Sequence, residues 1–545
     1  MKNILIYIGV LGLVLGGCSD YLAEDNKSNV SADNYYQTSE GFETLVNAAY
    51  GSLREVYGGE PYIFCAGTDM YVEGRNSQPI GLSEYRFLSP ADEAVEDLYV
   101  SAYRSIQTCN MGLHYSELTE DFAALNERIG ELKYLRANYF FLLVQTYGGV
   151  TLATDFINSP TLEFERNTEA EVYAFIISEL EESLNLVASG AYTGRVSKRA
   201  VQHLLAKVHL TRGYLDFAAS DDFSKAASYA DAAIGGQVLD IPFEELWTPG
   251  NEANAEVLFA VQYDRGSIAA APTELGNSQG GYFGPYLGGS EQAGKAPWRS
   301  YTLCPTMYFY DQFTEGDSRL DASIMMYIYV DYWDYYNMPE EELASREIEY
   351  YYAPQWASSD EQIQAWRDEN PAQRSATEVI KYENWETDKS LPGVDYGVPG
   401  LKKFDDPEAA FGENTSARDI ILARLGETYL LAAEAYFKDG NTGTALARLN
   451  EVRGRAAKPG FDLTLAAIDL EVILNERAAE LAGEYHRWFD LKRTGTLVDH
   501  VDMYNKDVPR ENFQGKNGEL KILRPIPQSA IDLNQNKNFK QNPAY

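Results

Sequence analysis

NERAAELAGEYHRWFDLKRTG, residues 475–495, sets four acids, four Lys or Arg, one of the chain's five histidines and a Trp-Phe pair side by side. Leu474, Ala478, Leu481, Tyr485 and Trp488 advance by four, three, four and three residues, which predicts one buried helical stripe. Arg477, Glu480, Glu484 and Arg487 run along the flank of that stripe, at spacings where they can pair with one another. Phe489 and the His486 ring are placed to wedge the helix end against its neighbours. A catalytic role for Glu480, Glu484 or His486 needs a cleft, and a helix packed along this stripe offers none. The stretch therefore reads as scaffold in a helical protein.

Working outward, the same 3.6-residue apolar period recurs along most of the chain. It predicts helices over 39–57, 92–118, 121–147, 168–188, 197–217 and 222–234, and again over 418–438, 442–457 and 466–493. Thr38-Ser39 is a start signal, and Gly148-Gly149 is a natural stop. Between about 238 and 417 the texture changes to Gly, Pro, Tyr and Trp with little helical period. There VLFAVQY (257–263) and MMYIYVDYW (325–333) read as short strands. The tail LRPIPQSAIDLNQNKNFKQNPAY (523–545) is rich in proline and asparagine and is expected to lie irregularly on the surface.

One helix pair has a readable repeat. In LAAEAYFKDGNTGTALARLNEVR (431–453), Ala433, Tyr436, Gly440, Ala445 and Leu449 stand at tetratricopeptide spacing. Small residues at 433 and 445 let two helices approach closely, Gly440 makes the turn, and Tyr436 and Leu449 fill the gap. A weaker copy runs from Leu205-Ala206 to Ala227 and Ala230. Units of this kind stack into an α-α superhelix.

Composition narrows the partners. With 45 Lys and Arg against 82 Asp and Glu, the formal charge is −37. Nucleic acid binding needs a basic footprint, and this balance argues against it. Anionic membrane surfaces are disfavoured, and neutral or weakly charged ligands suit such a body. Most of the 40 tyrosines are expected to pack helices with the hydroxyl at the surface.

Lys2 followed by the apolar run ILIYIGVLGLVL (4–15) has the length of a signal-peptide core and is too short to span a bilayer. Leu15-Gly16-Gly17-Cys18 resembles a bacterial lipobox, which predicts cleavage before Cys18 and lipidation of its thiol. A signal peptide over 1–17 and a tether over 18–38 follow, with stable anchoring by several acyl chains. Cys65, Cys109 and Cys304 are widely spaced and odd in number, so neither a disulfide framework nor a zinc site is expected. Gly276-Asn277-Ser278-Gln279-Gly280 matches GxSxG, but it lacks the strand and helix that a nucleophile elbow requires. No HExxH, phosphate loop or dinucleotide fingerprint is present, so neither catalysis nor a cofactor is expected.

Taken together, the mature chain resembles the SusD/RagB family of bacterial outer-membrane lipoproteins. The resemblance rests on Glu476-Arg477, Glu480-Leu481 and His486-Arg487-Trp488-Phe489-Asp490-Leu491 in register in the stretch quoted first. It extends to LKYLRANYFFLLVQTYGGVTLAT (132–154), GRVSKRAVQHLLAKVHLTRG (194–213), DIILARLGETYLLAAEAY (419–436) and the tail. One departure is Gly483-Glu484-Tyr485, where a bulkier apolar residue and Gly are commoner before the His.

The resemblance implies a mainly α fold. It would comprise a tetratricopeptide-like superhelix, a helical region over 39–237, a loop-rich ligand-binding insertion over 238–417, and a C-terminal helical region with tail over 418–545. It also implies a surface lipoprotein of the outer membrane. Such a protein would capture oligosaccharides, or oligopeptides in RagB-like relatives, for a SusC-like TonB-dependent transporter. A lipid-anchored hydrolase is the reading that the missing motifs disfavour. Sugar rings stack on flat aromatics and bond flanking polar groups. Candidate ligand contacts are therefore Asp69, Tyr71, Arg75 and Asn76 in TDMYVEGRNSQ (68–78), with Glu73 a charged neighbour there. Tyr282, Phe283 and Tyr286 in GGYFGPYLGG, Trp298, Arg299 and Tyr301 in APWRSYT, and Trp333 in DYWDYYN complete the set. Taken singly, each of these is more often a packing residue.

Overall fold

The computed structural model describes residues 32–75, 77–268, 276–284, 301–330, 340–387, 397–406, 408–409 and 415–545. The longer helices are α1 (Ser39–Tyr57), α2 (Glu93–Ser116), α3 (Leu125–Tyr147), α4 (Glu169–Leu186), α5 (Lys198–Arg212) and α6 (Asp222–Ile234). They continue as α7 (Asp360–Glu369), α8 (Leu425–Lys438), α9 (Thr442–Ala456), α10 (Leu470–Glu480), α11 (Arg487–Thr494) and α12 (Leu497–Tyr504). The strands are short: β1 (Tyr71–Glu73), β2 (Val257–Val261), β3 (Leu303–Pro305), β4 (Tyr327–Tyr329), β5 (Ile348–Ala353), β6 (Glu378–Lys381) and β7 (Ile420–Arg424). The fold is mainly α with short strands.

Local chemistry sets the helix ends. The Thr38 side chain accepts from Gly41 N and opens α1. Thr168 and Glu171 form a reciprocal capping box on α4, an arrangement that satisfies two orphan donors at once. α3 stops at Gly148, whose φ of +76° lies in the left-handed region. From α1 to α6 each helix packs on the next; α6 then packs on α8, and α8 on α9 and α10. The chain is thereby one continuous helical array across both halves. Alanines make this closeness possible. Ala227 of α6 packs with Leu431 and Ala435 of α8, while Ala433 packs with Leu449 and Ile473. Gly440 turns the chain between α8 and α9 with φ +86°.

Three small sheets attach to this array. β1 pairs antiparallel with β3, β2 antiparallel with β7, and β5 stands between antiparallel β4 and parallel β6. All of Val257–Val261 is buried. Of the other predicted strand, residues 327–329 are β4, and 331–333 lie outside the described residues.

Four expectations are corrected. The predicted helix over 466–493 is two helices, because the chain turns at 481–486. Gly483 has φ +76° and Tyr485 +69°, and a Cβ at Gly483 would lie 2.4 Å from the Phe404 ring. The five stripe residues are all buried, but Leu481 and Tyr485 reach the core from the turn. Arg477, Glu480, Glu484 and Arg487 do not pair with one another as their spacing suggested. All four are buried and bond to other partners. The tail is not superficial throughout. Arg524 and Ile526 are fully buried, and Arg524 lies between the rings of Trp488 and Tyr85, 4.7 and 5.0 Å from their centroids. Several tyrosine hydroxyls end inside: Tyr147 donates to Val95 O, Tyr85 to Gly67 O and Tyr301 to Val398 O.

Candidate functional site

The stretch quoted first forms the charged interior. Arg424 donates to Glu480 Oε1 and to both Glu484 oxygens, each at 2.7 Å. Arg319 adds a 3.1 Å bond to Glu480, Arg455 also reaches Glu480, and Lys403 reaches Glu484. Burial opposes ionisation of Glu480, yet Arg455, Arg424 and Arg319 outweigh it and hold that carboxyl far below its usual range. Burial likewise opposes ionisation of Asp490, and Arg477 and Arg493 hold it at about 2. His486 is pushed down to about 3 by burial, against the pull of Glu427, and is neutral at pH 7. A cavity bounded partly by Glu484, Tyr485 and His486 measures about 70 Å³, room for a few waters rather than a substrate. These charges hold helices together.

The candidate loops from the two halves do meet, through the β1–β3 pair. Tyr71 faces Pro305, Val72 faces Cys304 and Glu73 faces Leu303. Gly74 N donates to Thr302 O and Arg75 N to Tyr301 O, both at 3.0 Å. Position 74 admits only glycine, since a Cβ would sit 1.8 Å from Tyr301 O. Asn505, just past α12, ties the loop down with bonds from Nδ2 to Thr68 O and Tyr71 O.

Most of the described candidates are buried and bond or pack within the chain. Asp69 is fully buried and receives Arg487 Nε at 2.8 Å and His500 Nδ1 at 3.0 Å. Burial works against its charge, but Arg487 and His500 keep the carboxyl below its ordinary value. Tyr71 is buried and its ring packs on Phe283. Tyr282 and Phe283 are on a short helix, Gln279–Phe283, instead of an exposed loop. Phe283 packs on Phe404, and the Tyr282 hydroxyl donates to Glu60 Oε1 at 2.9 Å. Tyr301 is buried with φ +47°. Arg75 is exposed. Asn76, Tyr286, Trp298, Arg299 and Trp333 lie outside the described residues.

Beside β1 opens a polar hollow of about 390 Å³, bounded by Glu73, Gln78, Glu84, Thr387, Lys506 and Asp507 among others. That volume is within the range of small-ligand pockets. Its wall is braced internally. Glu73 N donates to Asp507 Oδ2 at 3.1 Å, Asp507 N to Asn505 Oδ1 at 3.0 Å, and Gln78 N to Glu73 Oε2 at 3.1 Å. Gln78 closes the quoted loop TDMYVEGRNSQ, but an isolated Gln carries no sequence signal. Thr387 and Lys506-Asp507 come from segments with no motif, and only the fold brings them here. Among the described residues, no three His, Cys, Asp or Glu converge to hold a metal ion, and no helix is long and apolar enough to cross a membrane.

Comparison with known proteins places this geometry. A family model described as "Starch-binding associating with outer membrane" matches residues 20–210. A SusD-like protein of Formosa agariphila is 23% identical over 98% of this chain and 97% of its own. The starch-binding protein SusD of Bacteroides thetaiotaomicron is 25% identical over 84% of this chain and 80% of its own. A solved laminarin-binding SusD-like protein superposes with a TM-score of 0.68 at 23% identity, covering 94% of this chain and all of that one. Since the model of the SusD family matches residues 255–545, more than half of the chain, the protein belongs to the SusD family.

Proposed function

We propose that this protein is a glycan-binding lipoprotein of the outer cell surface, anchored through Cys18. It captures oligosaccharides and passes them to a SusC-like, TonB-dependent transporter. The observation that carries this reading is the meeting of the 68–78 loop with the 301–305 strand at an open polar hollow, in a chain whose relatives include starch- and laminarin-binding proteins. Of the aromatic candidates, Tyr286, Trp298 and Trp333, with Arg299 and Asn76, remain as contacts. The tetratricopeptide-like array α1–α6 is the side that seats on the transporter. The reading has no catalytic step.

The test is binding of residues 19–545 to plant, microbial and host glycans, with peptide mixtures alongside. A saccharide bound by the protein and lost on Trp298→Ala supports capture. The charged lining of the hollow, Glu73, Glu84, Lys506 and Asp507, favours an oligopeptide as the second reading. Peptide binding without sugar binding would establish that reading in place of the first. Charge reversals on the exposed faces of α1–α6 should abolish co-purification with the transporter and spare ligand binding; unchanged recovery would sink the docking assignment.

A further inference from the structure

We propose that a second hollow, on the helical side of the molecule, binds a carboxylate-bearing ligand of sugar or amino-acid size. It measures about 380 Å³ and lies between α1, the loop leading into α5 and the end of β2. That volume is within the range of small-ligand pockets. It shares no residue with the hollow beside β1, so the inference does not rest on oligosaccharide capture. Arg54 and Arg195 bound it, and among the described residues no Asp or Glu does, in a chain with 82 Asp and Glu against 45 Lys and Arg. Arg195 is already bridged by Glu131 and Glu43, at 2.7 and 3.2 Å. Arg54 differs: it makes no ion pair among the described residues.

The Arg54 side chain is held in place. Its Nε donates to Gln262 O at 2.8 Å, and the guanidinium lies over the Tyr263 ring, 5.0 Å from the centroid. The two terminal nitrogens are left for the planar fork that pairs with a carboxylate. Asp419 senses this charge without pairing with it. Asn47 Oδ1 accepts from Arg195 Nη2 at 3.0 Å. That bond sets the amide, so Nδ2 of this exposed residue is an unspent donor. Asn47, Tyr50, Gly51 and Arg54 stand at i, i+3, i+4 and i+7 on α1 and share one face. Gly51 is the gap in that face. It is exposed and in mid-helix, where glycine is less stable than alanine, and a Cβ there would meet nothing within 4 Å. No packing inside the chain asks for glycine at 51. Its missing side chain keeps the hollow open beside Arg54, which is the access a ligand carboxylate needs.

The probes are D-glucuronate and N-acetylglycine, with D-glucose as the neutral control. A sugar acid and an amino acid present the same carboxylate, and these two arms separate the sources. Binding to residues 19–545 at pH 7 is followed by ligand-observed NMR titration, with a melting curve for each variant. At least one of the two acids should bind. Arg54→Gln keeps an amide donor but removes the charge, and it should weaken that acid about tenfold or more while leaving any binding of glucose unchanged. Gly51→Leu fills the hollow from an exposed helical position. It should abolish binding of the acid and leave the melting temperature unchanged or raised, a pair of effects that misfolding does not produce. Binding of neither acid overturns the site. Acid affinity that survives in either folded variant overturns it as well. A loss of glucose binding equal to that of the acid in Arg54→Gln overturns the role of the guanidinium.

Discussion

Two regions of the molecule use the same residue types to opposite ends. In the interior around Glu480 and Glu484, carboxylates meet Arg424, Arg319, Arg455 and Lys403 in bonds that knit α9, α10, β7 and the insertion together. At the hollow beside β1, carboxylates brace a wall, and one buried amide oxygen, Gln78 Oε1, has no partner. A charge removed from water must be matched by its surroundings or it destabilises the fold. Around Glu480 and Glu484 that demand is met within the chain. The lesson is that density of charge does not by itself locate a binding site.

Three perturbations would break or sharpen this contrast. The largest effect is expected from Arg424→Ala, which strands Glu480 and Glu484 without their shared partner. Removing one side of a buried ion pair costs about 3–5 kcal/mol, so urea denaturation should show a loss of that order, or the variant should fail to accumulate. A loss below about 1 kcal/mol would mean that the interior tolerates unmatched charge as the hollow does.

Acid is the next lever. His486 sits at about 3 in the fold against an ordinary 6.5, so the unfolded chain takes up this proton first. Its contribution is fully present above pH 6.5 and is lost as pH falls toward 3. Asp490, at about 2 against 3.8, extends the loss from 3.8 to 2, since its depressed value stabilises only the ionised fold. Each group contributes a slope of about 1.4 kcal/mol per pH unit within its window. Denaturation midpoints should therefore fall steadily below pH 6.5, and His486→Gln should flatten the upper part of that decline. A midpoint constant from pH 6.5 to 4 would show that His486 is not held neutral.

The smallest effect on stability is expected at the hollow. Gln78→Leu forfeits two bonds worth about 0.5–1.5 kcal/mol each. Urea denaturation should show a loss of about 1–3 kcal/mol. An unchanged denaturation midpoint would mean that the bonds from Gln78 to Val72 O and Thr302 O do not brace the β1–β3 pair.

How much was legible differs between these regions. The helical array could be read because apolar spacing, caps and stop glycines are local signals; α1, α4 and α9 begin within a residue or two of where they are expected. The break between α10 and α11 was hidden because Leu481, Tyr485 and Trp488 keep helical spacing across it. Gly483, Glu484 and Tyr485 were the departure from the family pattern, and the chain turns there. The aromatic candidates were harder. Tyr71, Tyr282, Phe283 and Tyr301 stand in glycine-rich or polar stretches that look exposed. Each is buried because segments distant in sequence close over it, as Phe404 does over Phe283. Asp69 in a polar loop gives no hint of Arg487, 418 positions away.

By itself the sequence determined the class of fold, the family resemblance and the strongly negative charge. These depend on periodicity, composition and short motifs, all carried by neighbours along the chain. Only the tertiary structure decided which charges are matched. Pairing between Arg424 and Glu480, or the placing of Lys506 and Asp507 beside Gln78, depends on where remote segments come to rest, and burial then sets what an unpaired atom costs.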